Sequence, residues 1–307
     1  MSSSAELIRC ITLYVGLPVF SIGTVGNLLN IRYLWRTRNN PCAFLFLVGS
    51  IVNCIVLFYG LLTRILSVGF NLDWSTTNVG WCKTRIAFTQ ASFLISLTCV
   101  CLASFDRLFS SCRQEKYRRL SRLSLARISV LLTTVLWLGH SVPYLVYAEL
   151  ISNSNTDSVS CSLLPNKSYA TYRTYVALPL YLGVFPAMIL IVTGILTYRN
   201  TNHLRQGQQR QLIQKQLTTV MLLQTPCILL STSPYVVFTV YLTLTTAVVK
   251  SADVKSMENI LSSVFTLIFY FAFSCQFFIF YISTKSFREE MKNFILHKRT
   301  NRVRPIS

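Results

Sequence analysis

The sequence predicts an all-α membrane protein, a bundle of seven transmembrane helices followed by a short amphipathic eighth helix. Its residues are 52% hydrophobic and only 13% charged, which is about half the charged share of a typical soluble domain. Seven nearly charge-free runs reach the roughly 20 residues that a membrane-spanning helix needs. Basic residues lie mainly between these runs, as they do in the loops of membrane proteins.

The seven runs follow one another with short connections and define the elements. Strands of a membrane β-barrel would be about half as long and would alternate apolar with polar residues, so helices are predicted. The first run is too long for the apolar part of a signal peptide, and we expect it to be retained as a helix. The runs are residues 10–31, 39–63, 86–105, 128–148, 174–198, 216–249 and 259–284.

An acid–base pair closes the third run. Residues 86–105 carry no charge, Asp106 and Arg107 follow directly, and Cys82 with Trp81 lies near the opposite end. A guanidinium at a helix end can pair with the neighbouring carboxylate and be released to a partner protein. The alternative is an interfacial anchor that reaches the lipid headgroups.

The distribution of basic residues predicts the orientation. Of the 29 Lys and Arg residues, 21 lie on the side of the membrane that carries Arg107. Cytoplasmic loops carry such an excess, so we expect the N-terminus outside and the C-terminus in the cytoplasm. The lipid bilayer is the expected surroundings, and nucleic acid is not expected as a partner despite the net charge of +19.

Residues 283–295 predict the eighth helix, lying on the inner membrane surface. Apolar residues recur there at spacings of three or four, with charges between them. These apolar residues are Phe287, Met291, Phe294 and Ile295. We expect residues 1–296 to form one seven-helix domain that includes this helix, and residues 297–307 to form a short basic cytoplasmic tail.

Short motifs occur in order in the seven runs. Gly26 and Asn27 lie in the first, Trp81 and Cys82 open the third, and Asp106-Arg107-Leu108 closes it. The later runs contain Trp137 with Pro143, then Pro186, then Ser233-Pro234-Tyr235, and finally Tyr281. In this order, with 25 residues from Cys82 to Arg107, they resemble the motifs of the rhodopsin-like (class A) G-protein-coupled receptors over the whole chain.

The sequence also departs from that family's pattern. Asn53 takes the place of the second-helix Asp, Thr232 that of the sixth-helix Trp, and Leu108 that of the Tyr in Asp-Arg-Tyr. The seventh-helix Asn-Pro pair is Phe277-Phe278. These departures indicate a divergent receptor and put the family's usual activation relay in question. The resemblance itself implies a location in the plasma membrane.

The resemblance implies an extracellular ligand bound between the outer halves of helices three, five, six and seven. Thr89 stands where amine receptors carry Asp and Phe271 where opsins carry lysine, so neither an amine nor retinal is expected. The candidate pocket residues are Thr89, Gln90, Phe93, Tyr175, Tyr235, Phe238, Tyr241 and Phe265. Near the expected rim lie Arg64, Lys83, Arg85, Glu149, Asp157 and Arg173.

A nearly uncharged aromatic pocket with mixed charges at its mouth favours a short peptide, as in neuropeptide receptors. A chemosensory receptor for small molecules remains an alternative. A transporter or channel would carry charged or polar residues in several helix centres, or an inverted repeat, and the sequence shows neither feature. A receptor-like protein that no longer signals is a further alternative.

The resemblance further implies activation of a heterotrimeric G protein through Asp106, Arg107 and Tyr281. Residues 158–252 contain no Asp or Glu, so helices five and six offer Arg107 no carboxylate, and basal signalling is expected. Pro186 and Pro234 are candidate pivots of the fifth and sixth helices, with static shape as the alternative.

Three further sites follow from the same placement. Asn27 and Asn53, at membrane depth, are expected to join helices one, two and seven, either in a water-mediated network or by plain interhelical hydrogen bonds. Cys82 and Cys161 both lie on the outer side, where a disulfide would tie the second outer loop to helix three; two free thiols are the alternative. Asn166 begins an Asn-x-Ser glycosylation pattern.

Catalysis is not expected. The sequence has no paired carboxylates, nucleophile–base pair or phosphate loop that would indicate an enzyme. Its ten cysteines are scattered without CxxC pairs, so neither a metal site nor a cofactor is predicted.

Overall fold

The computed structural model describes residues 2–153, 158–162, 166–201, 208–246 and 248–295. Within these ranges, seven helices are long and apolar enough to cross a membrane, which confirms the predicted all-α bundle. The predicted tail, residues 297–307, lies outside the described residues.

The helices are numbered in chain order. The first four are α1 (Ser2–Arg36), α2 (Pro41–Val56, continued by wider turns at Leu57–Leu62 and Ile65–Gly69), α3 (Val79–Ser111) and α4 (Leu123–Tyr147). Next come α5 (Lys167–Tyr172, Arg173–Val184 and Phe185–Thr201), α6 (Gln208–Leu244), α7 (Ala252–Ser274 and Gln276–Ser283) and α8 (Lys285–Ile295). Two short helices, Trp74–Thr76 and Glu115–Arg118, lie in connections.

A two-stranded hairpin connects α4 to α5. Strands β1 (Glu149–Asn153) and β2 (Ser158–Ser162) are antiparallel, with Leu150 opposite Cys161. The hairpin lies at the end of the bundle where α3 begins, hereafter the Cys82 end. The opposite end is called the Arg107 end.

Helices α2 and α3 extend beyond the apolar runs that predicted them. The second run ends at residue 63, but α2 continues to Gly69. The third run begins at residue 86, but α3 begins at Val79, where Asn78 Oδ1 accepts the Trp81 amide at 3.0 Å. Consequently, Arg64 and Arg85 lie inside helices, more than a turn from their ends.

Helix α3 packs in the centre of the bundle, between α2, α4 and α5. The indole of Trp137 on α4 donates to Thr98 Oγ1 at 2.9 Å, and Ser104 is hydrogen-bonded to Thr193 on α5. By contrast, α4 leaves apolar side chains such as Leu131 and Leu132 exposed, each by 64%. An apolar outer face of this kind is what contact with lipid requires.

Helix α8 is amphipathic, as predicted, and its apolar side is anchored on the bundle. Phe287 is fully buried, with its ring centroid 4.9 Å from that of Tyr33 on α1. The Tyr33 hydroxyl is 2.7 Å from the Ser286 hydroxyl. Arg36 Nη1 is 2.8 Å from Glu290 Oε1. Burial raises the pKa of Glu290 above its ordinary value, although the positive charge of Arg36 opposes the shift.

Candidate functional site

A cavity of about 390 Å³ opens near the Cys82 end, between α2, α3, α5, α6 and α7. Small-molecule sites in proteins occupy about 300–1,000 Å³, so this one is at the small end of the range. Its walls are formed by Tyr59, Gly60, Arg64, Ser67, Val68, Arg85, Ile86, Thr89, Gln90, Phe93, Arg173, Tyr235, Thr266 and Tyr270.

Four of the eight predicted pocket residues line this cavity, and four lie outside its lining. The lining residues among them are Thr89, Gln90, Phe93 and Tyr235. Phe238 packs instead against Phe265 and Tyr241, with ring centroids 5.1 and 5.7 Å apart. Tyr175 is 47% exposed. The sequence pattern placed all eight on outer helix halves, but it does not specify which face of each helix is turned inward.

The cavity is more strongly charged than the sequence indicated. Arg64, Arg85 and Arg173 line it, rather than only bordering its mouth. The reason is the length of the helices: a charge was read as the end of an apolar run, whereas α2 and α3 continue past Arg64 and Arg85. A charged side chain is tolerated at that depth where it faces a cavity instead of lipid.

An aromatic cluster that the sequence reasoning missed lies next to the cavity. The Phe93 ring centroid is 4.8 Å from that of Phe269 and 5.3 Å from that of Phe273 on α7. Thr232, at the position that the family resemblance assigns to Trp, donates to the carbonyl of Ile228 in its own helix at 2.8 Å. Helix α7 therefore supplies the aromatic packing here, and the i,i+4 spacing of Phe269 and Phe273 was the available signal.

Asp73 is a carboxylate close to this region, in the connection between α2 and α3. Its Oδ2 accepts the Ser67 hydroxyl at 2.7 Å, and its Oδ1 accepts both the hydroxyl and the amide of Ser75. Burial alone would raise the pKa of Asp73, but these hydrogen bonds and the nearby charge of Arg85 outweigh it and lower the pKa. Asp73 is therefore ionised at neutral pH, with both oxygens engaged.

A buried polar network crosses the middle of the bundle. Asn53 Nδ2 donates to Asn27 Oδ1 at 3.2 Å and to Gln276 Oε1 at 2.9 Å, and Asn53 Oδ1 accepts the Ser96 hydroxyl. Asn27 Nδ2 donates to the carbonyl of Phe273 at 3.0 Å. The structure thus joins Asn27 and Asn53 directly, and links α1, α2, α3 and α7.

Sequence reasoning missed Gln276, which supplies the α7 member of this network. It directly precedes Phe277-Phe278, the pair that replaces the family's Asn-Pro. Phe277 itself fills the space beside α1, because a Cβ atom at Gly26 would lie only 2.6 Å from the Phe277 Cβ. The Gly at position 26 therefore permits the close approach of α1 and α7.

Asn53→Ala should lower the free energy of unfolding by about 1–3 kcal/mol, because it leaves buried partners on three helices unsatisfied. Thermal unfolding of the purified chain in detergent measures the effect. Ser50→Ala is the matched control: Ser50 is equally buried on α2, but its hydroxyl donates within the helix, to Phe46 O at 2.9 Å. Equal destabilisation by the two variants would contradict an interhelical role for Asn53.

Asp106 and Arg107 form a buried ion pair at the Arg107 end. Arg107 Nη2 is 2.6 Å from Asp106 Oδ2, and the side chains are 2% and 7% exposed. Ser121, in the connection to α4, donates to Asp106 Oδ1 at 2.6 Å and was not predicted. Arg107 Nε and Nη1 are buried without a hydrogen-bond partner among the described residues. Because unpaired buried donors are costly, a partner with suitable acceptors can compete for this guanidinium.

Tyr281 lies apart from that ion pair. Its side chain is 41% exposed, its ring packs near Phe277 with centroids 6.1 Å apart, and its carbonyl accepts a hydrogen bond from Arg288. The candidate pivots occupy different settings: Pro186 follows the wide turns of α5, and Pro234 lies within the continuous α6. Their roles, like that of Tyr281, stay predictions.

A disulfide joins Cys82 and Cys161, as the sequence predicted, and so ties β2 to the start of α3. Asn166 is the N-cap residue of α5, and its Oδ1 accepts the Tyr169 amide at 2.9 Å. This capping bond involves Oδ1 and not Nδ2, which is the atom to which an N-linked glycan is attached. Glycosylation of Asn166 stays a prediction.

Comparison with known families identifies one match. The family model described as "7 transmembrane receptor (rhodopsin family)" matches residues 26–286, from the first transmembrane helix into α8. No curated protein matches the chain significantly.

Proposed function

Because the chain belongs to the rhodopsin family of seven-transmembrane receptors, we propose that it binds an extracellular ligand and activates a heterotrimeric G protein. The observation that carries this proposal is the buried Asp106–Arg107 pair, which is held at the end of the bundle opposite the cavity. A ligand that favours one arrangement of the helices shifts a pre-existing equilibrium toward it.

The proposed orientation places the Cys82 end outside the plasma membrane and the Arg107 end in the cytoplasm. Its support is the excess of basic residues, since the topology predicted from the sequence assigns 21 of the 29 Lys and Arg residues to the Arg107 side. The N-terminus is then extracellular and the C-terminus cytoplasmic. A disulfide at the Cys82 end agrees with this direction, because disulfides persist in oxidising surroundings.

The proposed ligand is a short peptide whose end enters the cavity. A small environmental molecule, as in a chemosensory receptor, is the second candidate, and the cavity volume of about 390 Å³ favours it. The polar network in the middle of the bundle supports a conformational signal in either case. Asn53 is hydrogen-bonded to α1, α3 and α7, so rearrangement of any of these helices changes its contacts.

The proposed switch is release of Arg107 from Asp106. In the present arrangement Arg107 is 2% exposed, and a G protein cannot bind a buried guanidinium. Outward displacement of the end of α6, about Pro234 as a pivot, would open this region. The basic segment of residues 113–127 follows α3 on the same side and would complete the contact. The sequence between α5 and α6 is proposed as a further part of it.

Membranes that contain the chain should catalyse nucleotide exchange on a purified heterotrimeric G protein without added ligand. Residues 158–252 have no Asp or Glu to bind Arg107, so the neighbouring Asp106 is its ion-pair partner in the closed arrangement. The measurement is guanine-nucleotide exchange relative to membranes without the chain. Rates equal to those of empty membranes for every G-protein class tested would contradict basal coupling.

A further inference from the structure

Among the described residues that line it, the cavity carries three positive charges and no carboxylate; Asp157, expected near its rim, lies outside the described residues. Arg64, Arg85 and Arg173 come from α2, α3 and α5, so three separate helices direct cationic side chains to one space. None of the three forms a salt bridge within the part of the chain that the structure describes. Three arginines so close together repel one another unless an anion lies between them.

The hydrogen-bonding capacity of these arginines is only partly used. Arg64 donates one bond, to Ser263 Oγ at 3.1 Å, and Arg173 lies beside the hydroxyl of Tyr144. The Nε atoms of all three are buried without a partner among the described residues. The nearby carboxylate of Asp73 is already engaged by Ser67 and by Ser75.

Two further polar groups of the lining are likewise unsatisfied. Gln90 is 6% exposed, and its Nε2 has no hydrogen-bond partner among the described residues; the same is true of the Thr89 hydroxyl. A buried amide that lacks a partner costs stability, and an acceptor in the cavity would remove that cost. The unsatisfied N–H donors of Gln90, Arg64 and Arg85 therefore all require a hydrogen-bond acceptor on the ligand.

Four aromatic side chains also line the cavity. Tyr59, Phe93, Tyr235 and Tyr270 present ring surfaces next to the arginines. Planar guanidinium groups bind carboxylates in a bidentate manner, and aromatic walls favour a flat apolar body. The combination selects a molecule with an acidic group on an aromatic or apolar framework.

We propose that the ligand of this receptor is an organic anion whose carboxylate is bound by Arg85 together with Arg64 and Arg173, with its apolar part against the tyrosines. The inference rests on the proposed function and deepens it, because it defines the chemistry of the ligand. The carboxylate belongs either to a small organic acid or to the free C-terminus of a short peptide. An amidated peptide lacks the group that the three arginines bind.

The test measures thermal unfolding of the purified full chain in detergent, with no G protein present. The probes are benzoate and its neutral analogue benzamide, then a dipeptide of phenylalanine with a free C-terminus and the same dipeptide amidated. A ligand that binds the folded state raises the unfolding temperature as its concentration rises. We expect both acids to raise it at lower concentrations than their amides, and the more effective acid identifies the source of the carboxylate.

Variants connect the effect to the cavity. Arg85→Gln should weaken acid binding at least about tenfold, Arg85→Lys should retain part of it, and Lys83→Gln should leave it unchanged. Lys83→Gln removes the same charge two residues from Arg85. The Lys83 side chain does not line the cavity, and its Nζ lies 3.4 Å from the Val146 carbonyl oxygen. Arg173→Gln provides a second variant in case Arg85→Gln does not fold.

Three results would overturn the proposal: no response of the wild-type chain to either acid, equal responses to acids and amides, or equal acid binding by Arg85→Gln and wild type. The binding test and the nucleotide-exchange test fail independently. Acid binding without exchange on any G protein contradicts the proposed coupling alone. Exchange by a chain that does not distinguish acids from amides contradicts the anionic ligand alone.

Discussion

Arg107→Ala should lower the rate of nucleotide exchange by the ligand-free receptor at least about tenfold. A hydrogen bond from a charged donor contributes about 1.5–3 kcal/mol, so loss of one to the G protein lowers its affinity at least about tenfold. The substitution also leaves Asp106, which is 7% exposed, without its counter-charge. Removing one partner of a buried pair costs about 3–5 kcal/mol, so a lower unfolding temperature is expected as well.

Asp106→Asn separates loss of coupling from loss of folding, because the two substitutions should act in opposite directions. Asparagine keeps the shape of the side chain but removes the charge that holds Arg107 at 2.6 Å. The guanidinium is then freer to leave its buried position, so exchange should rise above the wild-type rate. A variant that was merely unfolded could not show increased exchange.

Arg119→Ala is the matched control for loss of a positive charge at this end of the bundle. Arg119 forms an ion pair with Glu115 four residues earlier, but both side chains are about two-thirds exposed, at 65% and 67%. Such surface pairs contribute about 0–1 kcal/mol, so exchange should stay near the wild-type rate. Equal losses in Arg107→Ala and Arg119→Ala, at matched surface levels, would mean that Arg107 acts only through general charge.

The overall fold was predictable because a bilayer imposes its thickness on every helix that crosses it. Seven runs of sufficient length therefore fixed the number of helices, and the apolar spacing of Phe287 and Met291 predicted the buried side of α8. The helix ends were less predictable. The hydropathy pattern predicts helix ends near Arg64 and Arg85, because both are charged. A charged side chain is nevertheless tolerated inside a transmembrane helix where it faces a cavity.

The polar contacts were only partly predictable, since they depend on three-dimensional neighbours. Asn27 and Asn53 were identified as polar groups at membrane depth, which is a costly position without partners. Their partner Gln276 sits one residue before the position that the family resemblance assigns to Asn, and that resemblance directed attention to Phe277. Ser121 lies in a connection where no periodic pattern exists, so nothing in the sequence marked it as a partner of Asp106.

Cys161→Ser should prevent the chain from reaching the cell surface. The disulfide closes a loop with a sequence separation of 79 residues, and a cross-link of that span stabilises the folded state by about 4–5 kcal/mol. The total free energy of unfolding of a typical domain is only about 5–15 kcal/mol, so loss of the disulfide removes a large part of the stability. Cys82 is also fully buried, in a cluster with Ala87 and Tyr144, and the hairpin that covers this cluster would lose its covalent attachment. Surface labelling of intact cells measures the effect.

Cys10→Ser is the matched control, because Cys10 is an exposed free thiol on α1 near the same end of the bundle. Its removal should leave surface levels unchanged. The double variant Cys82→Ser/Cys161→Ser then distinguishes two causes of the loss. If the cross-link itself stabilises the bundle, the double variant should be as poorly expressed as Cys161→Ser. If it instead reaches the surface at the wild-type level, the single variant failed because the unpaired Cys82 thiol reacted elsewhere, and the disulfide would not be required for folding.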